Sequence, residues 1–216
     1  MKLYTFNHCP YCIKARMIFG LKKIPYQEIT ILNDDVETPT KLIGQKMVPI
    51  LEKPDGSAIP ESMDIVAFID KNFGKPVILG KNNKAVSDWL EASRKYVSRL
   101  YMPRSIEVNL PEFATDSAIR YFKTKKEDMI GSFEGNISRT PELKSIAENH
   151  LEELVSLIKN ESAVNGEEIS EDDIHLFPTL RALTIVRGLA IPSKVLNYIN
   201  NLSRNAEIEL YFDKAI

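Results

Sequence analysis

His8-Cys9-Pro10-Tyr11-Cys12 contains both cysteines of this 216-residue chain. They are spaced C-x-x-C, directly after Leu3-Tyr4-Thr5-Phe6, an apolar run that reads as a β-strand. Pro10 suits the first turn of a helix, because the amide hydrogen it lacks has no partner there and its fixed φ is already helical. Apolar side chains at Cys12, Ala15, Ile18 or Phe19 and Leu21 follow the spacing of a helix with one buried face. Cys9 is thus the expected N-cap. Free N–H groups and the positive end of the peptide dipoles favour a thiolate there. Such settings lower a cysteine pKa from about 8.5 into the range of roughly 3.5 to 7.5, which makes Cys9 the expected nucleophile.

Three other readings of the pair fit less well. A structural zinc site takes four ligands, and His8, His150 and His175 are too scattered to complete one. A structural disulfide would close too small a loop to stabilise much. Two unrelated core thiols remain an option, since free cysteine is often a small buried hydrophobe. A redox pair is the reading that uses both spacing and position.

At 24.5 kDa the chain has room for one large or two modest domains, each expected to bury a core of its own. Composition is 44% apolar and 27% charged, with a net charge of −2 and pI near 6.0. Nine basic and nine acidic residues lie up to Asn72, then nineteen and twenty-one beyond it. Neither part has the basic excess of a nucleic-acid binder. No signal-peptide pattern and no long apolar run is present, so a cytoplasmic chain without a membrane partner is expected. In that reducing compartment a C-x-x-C pair is catalytic more often than architectural.

Periodicity changes several times over residues 1–72. Pro25 to Leu32 suits a second strand, parallel to the first across the helix. A short helix over Glu37 to Leu42 ends before Gly44. Val48-Pro49-Ile50-Leu51 and Ala58-Ile59 flank the turn Lys53-Pro54-Asp55-Gly56 as arms of an antiparallel hairpin. Ser62 to Phe73 returns to helical spacing, which gives the order β-α-β-α-β-β-α. Residues 73–83, rich in glycine, proline and asparagine, read as a linker, and 84–216 reads as helical throughout. Helices are expected over Val86 to Leu100, Phe113 to Phe133 and Leu143 to Ile158, with Trp89 as a packing residue. Ser170-Glu171-Asp172-Asp173 has the form of a capping box with Asp in place of Glu, and capping explains its acidity without a metal. The helix it starts contains Pro178, and Pro192 opens the last one. The tail, residues 205–216, fits no element.

Three further places bear on chemistry. If the Val48-Pro49 bond is cis, the Val48 N–H and C=O can pair with an extended peptide as an added strand; an ordinary trans bond ending a loop fits the sequence equally. Glu61-Ser62 either caps the next helix, Ser62 as N-cap and Glu61 solvated, or holds the amino-acid end of a ligand. His8 either tunes the neighbouring thiol or lies on the surface, the latter being favoured slightly.

Cys9-Pro10-Tyr11-Cys12 after a first strand, Val48-Pro49, Glu61-Ser62-Met63-Asp64-Ile65, the 42–51 segment and Ile169 to Asp173 together resemble the two-domain bacterial glutaredoxins, the glutaredoxin 2 family. C-P-Y-C is specific for glutaredoxins, whereas Val-Pro and Glu-Ser are shared with glutathione transferases. The Gly-Gly turn of single-domain glutaredoxins is replaced here by Glu61-Ser62. The resemblance implies an α+β chain of glutathione-transferase-like architecture, with a thioredoxin-like domain over 1–72 and an all-α domain over 84–216. It implies a glutathione-dependent thiol-disulfide oxidoreductase with Cys9 and Cys12 catalytic, glutathione as co-substrate and no metal. Glutathione is then expected against Tyr11, Val48, a cis Pro49, Glu61 and Ser62, with Gln45 or Lys46 near its glycine carboxylate. Expected partners are disulfide-bonded or glutathionylated proteins, met by a monomer. A glutathione transferase, or a binding or cluster-assembly module of the same fold, is the alternative; Cys9 in place of an activating hydroxyl, and Pro10 behind it, weigh against these.

Overall fold

The computed structural model describes residues 1–216. Four strands, Lys2–Thr5 (β1), Gln27–Thr30 (β2), Ile50–Glu52 (β3) and Ala58–Ile59 (β4), form one sheet in the order β2-β1-β3-β4. β1 runs parallel to β2, and the other pairs are antiparallel. Helices Pro10–Leu21 (α1), Glu37–Ile43 (α2) and Ser62–Asn72 (α3) complete the expected β-α-β-α-β-β-α order. Parallel pairing of β1 with β2 requires a crossover, and α1 supplies it.

No helix or strand occupies residues 73–83; beyond them the chain is helical: Lys84–Ser105 (α4), Asp116–Ile130 (α5), Phe133–Ser138 (α6), Thr140–Leu157 (α7), Glu171–Leu183 (α8) and Ser193–Ala206 (α9). Local chemistry sets the starts. Asn83 accepts from the Ala85 N–H at 3.0 Å, and Thr115 from Ala118 at 3.2 Å. The Thr115 cap divides the single helix expected over Phe113 to Phe133: Pro111–Phe113 is a 3₁₀ turn, α5 follows, and Gly131 at φ 81 ends it before α6.

The Ser170 capping box is present and reaches further than its own helix. Asp173 takes the Ser170 N–H and hydroxyl, each at 2.8 Å, the Val164 N–H at 2.7 Å and the Tyr198 hydroxyl at 2.8 Å. One buried carboxylate thereby joins α8, α9 and the 158–170 connection. Trp89 is buried as expected, donating to the His150 carbonyl at 2.7 Å and stacked on its ring. α8 runs through the buried Pro178 to Leu183.

Two separate cores do not form. One apolar cluster extends from Leu3, Phe19 and Ile65 to Leu180, Tyr198 and Leu202, leaving only Tyr4, Ile31 and Ile50 apart on the opposite face of the sheet. The reason lies in α1, which packs against α3 on one side and α8 and α9 on the other. Its buried residues are Cys12, Ile13, Ala15, Met17, Ile18, Phe19 and Gly20, more than the single expected stripe. Full burial of each large apolar side chain contributes about 1.5 to 3 kcal/mol, so α1 belongs energetically to both layers. No helix is long and apolar enough to cross a membrane.

Candidate active site

Cys9 is the N-cap of α1 and Pro10 its first helical residue. Both cysteines are free thiols. Cys12 is fully buried, one helical turn on, and its sulfur accepts the Phe6 N–H at 3.4 Å. Cys9 keeps 9% of its surface and opens on a cavity of about 1050 Å³ between the sheet layer and the helices. The Cys9 thiol is pulled below its ordinary pKa first by a hydrogen bond from Cys12; burial opposes this, and the N–H groups of Cys12 and Tyr11 and the charge of Lys126 assist. Cys12 is pushed well above its ordinary value by burial, then by the bond and the negative charge at Cys9. The two thiols are thus pushed apart, Cys9 toward the thiolate on the cavity side and Cys12 toward the neutral thiol behind it.

The turn ahead of Cys9 is held from the helical layer. Tyr101 on α4 donates to the His8 carbonyl at 2.9 Å. Arg181 on α8 donates to the Asn7 carbonyl at 3.1 Å and to Asn7 Oδ1 at 2.9 Å, and the Tyr211 hydroxyl contacts the same two atoms at 3.1 and 2.9 Å. Arg181, 3% exposed, has no carboxylate partner; the Tyr211 ring at 4.0 Å and the Glu209 carbonyl at 2.8 Å complete its surroundings. Glu112, in the 3₁₀ turn, accepts both the main-chain N–H and ring Nδ1 of His8 on one oxygen, each at 2.7 Å. Burial works to raise the Glu112 pKa, but the bonds from His8 outweigh it and the carboxyl sits below its ordinary value.

The cavity wall gathers cations. Lys14 Nζ meets His175 Nδ1 at 2.6 Å, and burial brings the Lys14 pKa down to about 8. His175 is pushed down by burial and by Lys14, so its neutral ring accepts. Lys46 donates to the Asn33 carbonyl at 2.6 Å and lies 3.6 Å from the centre of the Tyr121 ring. Lys125 and Lys126 also line the wall, and none of these four lysines has a carboxylate within ion-pair distance. On the sheet side, the Val48-Pro49 bond is cis, and the Val48 N–H and C=O make no hydrogen bond within the chain.

Residues 85–215 match the family model described as glutaredoxin 2, C-terminal domain, and residues 3–77 match that of the glutathione S-transferase N-terminal domain. Glutaredoxin 2 of Escherichia coli K12 is 47% identical over all 216 residues, with the whole of both chains aligned. The chain belongs to the glutaredoxin 2 family. Among solved structures, glutaredoxin 2 of Salmonella typhimurium in complex with glutathione superposes with a TM-score of 0.97 at 48% identity, over 100% of this chain and 98% of that one. A glutathione S-transferase of Ceriporiopsis subvermispora, 15% identical with a TM-score of 0.71 over 97% of each chain, shares the fold.

Within this glutaredoxin 2 fold the expected site residues divide. Cys9, Tyr11, Lys46 and Val48 line the cavity, and Tyr11 is 57% exposed. Pro49, Glu61 and Ser62 are not part of its wall. Ser62 is not the cap: Glu61 is the N-cap, at φ 67 and ψ 120, and Ser62 is the first helical residue, 4% exposed. That backbone turn points the Ser62 side chain inward. His8 is not on the surface either; it is stacked between Phe6 and Phe113 and meets the edge of Phe122. Sequence reasoning missed Glu112, Lys14, Tyr121, His175 and Tyr211. Lys14 lies on α1 itself, a polar helix position with no local signal, whereas packing alone brings Glu112, Tyr121 and His175 to the cavity or to His8, and Tyr211 to Asn7.

Proposed function

We propose that this glutaredoxin 2 family member reduces protein disulfides and glutathione mixed disulfides through Cys9 and Cys12, with glutathione as reductant. The observation that carries it is the division of the two thiols, Cys9 lowered and open to the cavity, Cys12 raised and sealed behind it. Cys9 thiolate attacks a disulfide sulfur; a bond from Cys9 forms, the old S–S bond breaks, and the departing thiolate takes a proton. With a protein disulfide, Cys12 then displaces the substrate by closing Cys9–Cys12, and two glutathiones reopen it with release of glutathione disulfide. A glutathionylated substrate needs Cys9 alone.

Glutathione is placed by this reading in the cavity beside Cys9 and Tyr11, its cysteine main chain on the free N–H and C=O of Val48 ahead of Pro49, and its γ-glutamyl end at Glu61 and Ser62. Support at that last place is that the N–H groups of Ser62, Met63 and Asp64 have no acceptor within the chain and that Glu61 is held outside the favoured backbone regions. The reading takes residues 1–72 and 84–216 as two domains joined by 73–83, acting as a monomer in the reducing cytoplasm on glutathionylated or disulfide-bonded proteins. Cys9→Ser is expected to abolish reduction of both a protein disulfide and a glutathionylated peptide. Cys12→Ser is expected to lose only the former. Loss of both in Cys12→Ser would refute the division of labour.

A further inference from the structure

We propose that His8, oriented by Glu112, is the acid-base group of the reaction: its Nε2 takes the thiol proton of the incoming glutathione and returns it to the thiolate that leaves the substrate. The inference rests on Cys9 being the nucleophile.

Glu112 is fully buried; its second oxygen has no partner, and the two His8 donors on the first are the only hydrogen bonds its carboxylate receives from a side chain or main chain. A carboxylate only accepts, so Nδ1 must carry the proton in that bond. This fixes the tautomer and leaves Nε2 with a free lone pair in the neutral ring. Nε2 has no partner within the chain, yet it is not among the sealed polar atoms; the His8 side chain is 10% exposed and lines the cavity that Cys9 lines. Phe6, Phe113 and Phe122 hold the ring plane with centroids at 5.4, 4.9 and 4.8 Å. A carboxylate behind an imidazole stabilises the imidazolium that forms when Nε2 takes a proton, and it does so best away from water. A residue serving only to anchor the turn would need its main-chain N–H and Nδ1, not an unpaired Nε2 on a side chain that lines the cavity shared with Cys9.

The cycle balances. Cys9 thiolate attacks the glutathione sulfur of the mixed disulfide; the Cys9–glutathione bond forms, the substrate S–S bond breaks, and the departing thiolate takes the proton from Nε2. Neutral Nε2 then accepts the S–H proton of a second glutathione, whose thiolate displaces Cys9 and releases glutathione disulfide. One mixed disulfide and one glutathione thiol give one substrate thiol and one glutathione disulfide, and the proton taken from glutathione restores the one given to the leaving thiolate. The charged or titratable groups around His8 are Glu112 in the 3₁₀ turn, Tyr101 on α4, Cys9 and Cys12 at α1, Lys126 on α5 behind Phe122, and Arg181 and Tyr211, both bound to Asn7.

The test is steady-state deglutathionylation of a model peptide across pH by the full chain. His8→Asn keeps a donor to Glu112 but cannot exchange a proton. Its kcat is expected to fall about 10²-fold at neutral pH, and to approach that of the native chain as glutathione ionises by itself above the ordinary thiol value of about 8.5. Glu112→Gln, a change in the positioning residue, is expected to show the same convergence from a smaller loss. The pH dependence of Cys9 alkylation should stay in place in His8→Asn. A native rate and pH profile in His8→Asn would overturn the proposal, as would a displaced Cys9 alkylation midpoint, which would mean that His8 acts on Cys9 instead. Should His8→Asn not fold, the native chain decides by its solvent deuterium isotope effect: a slowed turnover supports the transfer, and an unchanged one overturns it. Retained activity in Cys9→Ser would instead remove the nucleophile on which the inference rests.

Discussion

Tyr211 and Asn7 are 204 positions apart in sequence, and their side chains meet at 2.9 Å two residues ahead of Cys9. The same hydroxyl touches Tyr101 at 3.1 Å and takes a hydrogen bond from Arg181 at 2.7 Å. Tyr211→Phe keeps the ring under the guanidinium but leaves that buried donor one acceptor short. An orphaned buried partner costs about 1 to 3 kcal/mol. A urea midpoint lowered accordingly, at unchanged m-value, is the expected result, together with faster amide exchange at Asn7 and His8. A loss below about 0.5 kcal/mol, the range of ordinary surface substitutions, would show that the hydroxyl is not structural.

The Cys12 thiol is the largest influence lowering Cys9, ahead of the helix N–H groups. Cys12→Ala removes it. The midpoint of Cys9 alkylation is therefore expected to move up, since burial, which raises it, is then opposed only by the N–H groups of residues 11 and 12 and the charge of Lys126. At a pH between the two midpoints the variant would carry less thiolate and react more slowly. An unmoved midpoint would return the whole effect to the helix terminus.

A Cβ built on Gly20 of α1 would lie 1.8 Å from the Ala206 carbonyl oxygen of α9. Alanine is favoured over glycine in a helix interior by about 1 kcal/mol. Here the clash is with backbone, which does not rotate away, and overpacking costs about 1 to 3 kcal/mol or more. Gly20→Ala is expected to destabilise in chemical denaturation, α1 and α9 being forced apart. A net gain in stability would mean that the two helices do not approach this closely.

With its pKa at about 8, Lys14 is roughly half uncharged at pH 8, where an ordinary lysine, titrating at about 10.4, is almost wholly charged. Limited acetylation at that pH is expected to mark Lys14 ahead of the exposed Lys81, read by peptide mass. The negative charge of Cys9 raises the Lys14 value, so closing the Cys9–Cys12 disulfide should lower it further and speed the labelling. Equal labelling of Lys14 and Lys81 would contradict the burial that lowers it.

Cys9-Pro10-Tyr11-Cys12, the hairpin around Asp55-Gly56 and the Ser170 capping box were legible because each is governed by residues within a few positions: a proline that fits a first turn, a glycine that permits φ of 82, a carboxylate three residues from its cap. The sequence by itself determined the strand and helix order, the end of the sheet layer near residue 72 and the place of the C-x-x-C pair at the start of α1. Only the tertiary structure decided that Glu61 and not Ser62 caps α3, that His8 lies on a buried carboxylate 104 positions away, and that the unassigned tail returns Tyr211 to the turn before Cys9. Local chemistry selects an element through neighbours in the chain. A buried charge or hydroxyl is placed by whatever partner the packing of distant helices brings within hydrogen-bonding distance, and no short-range pattern encodes that partner.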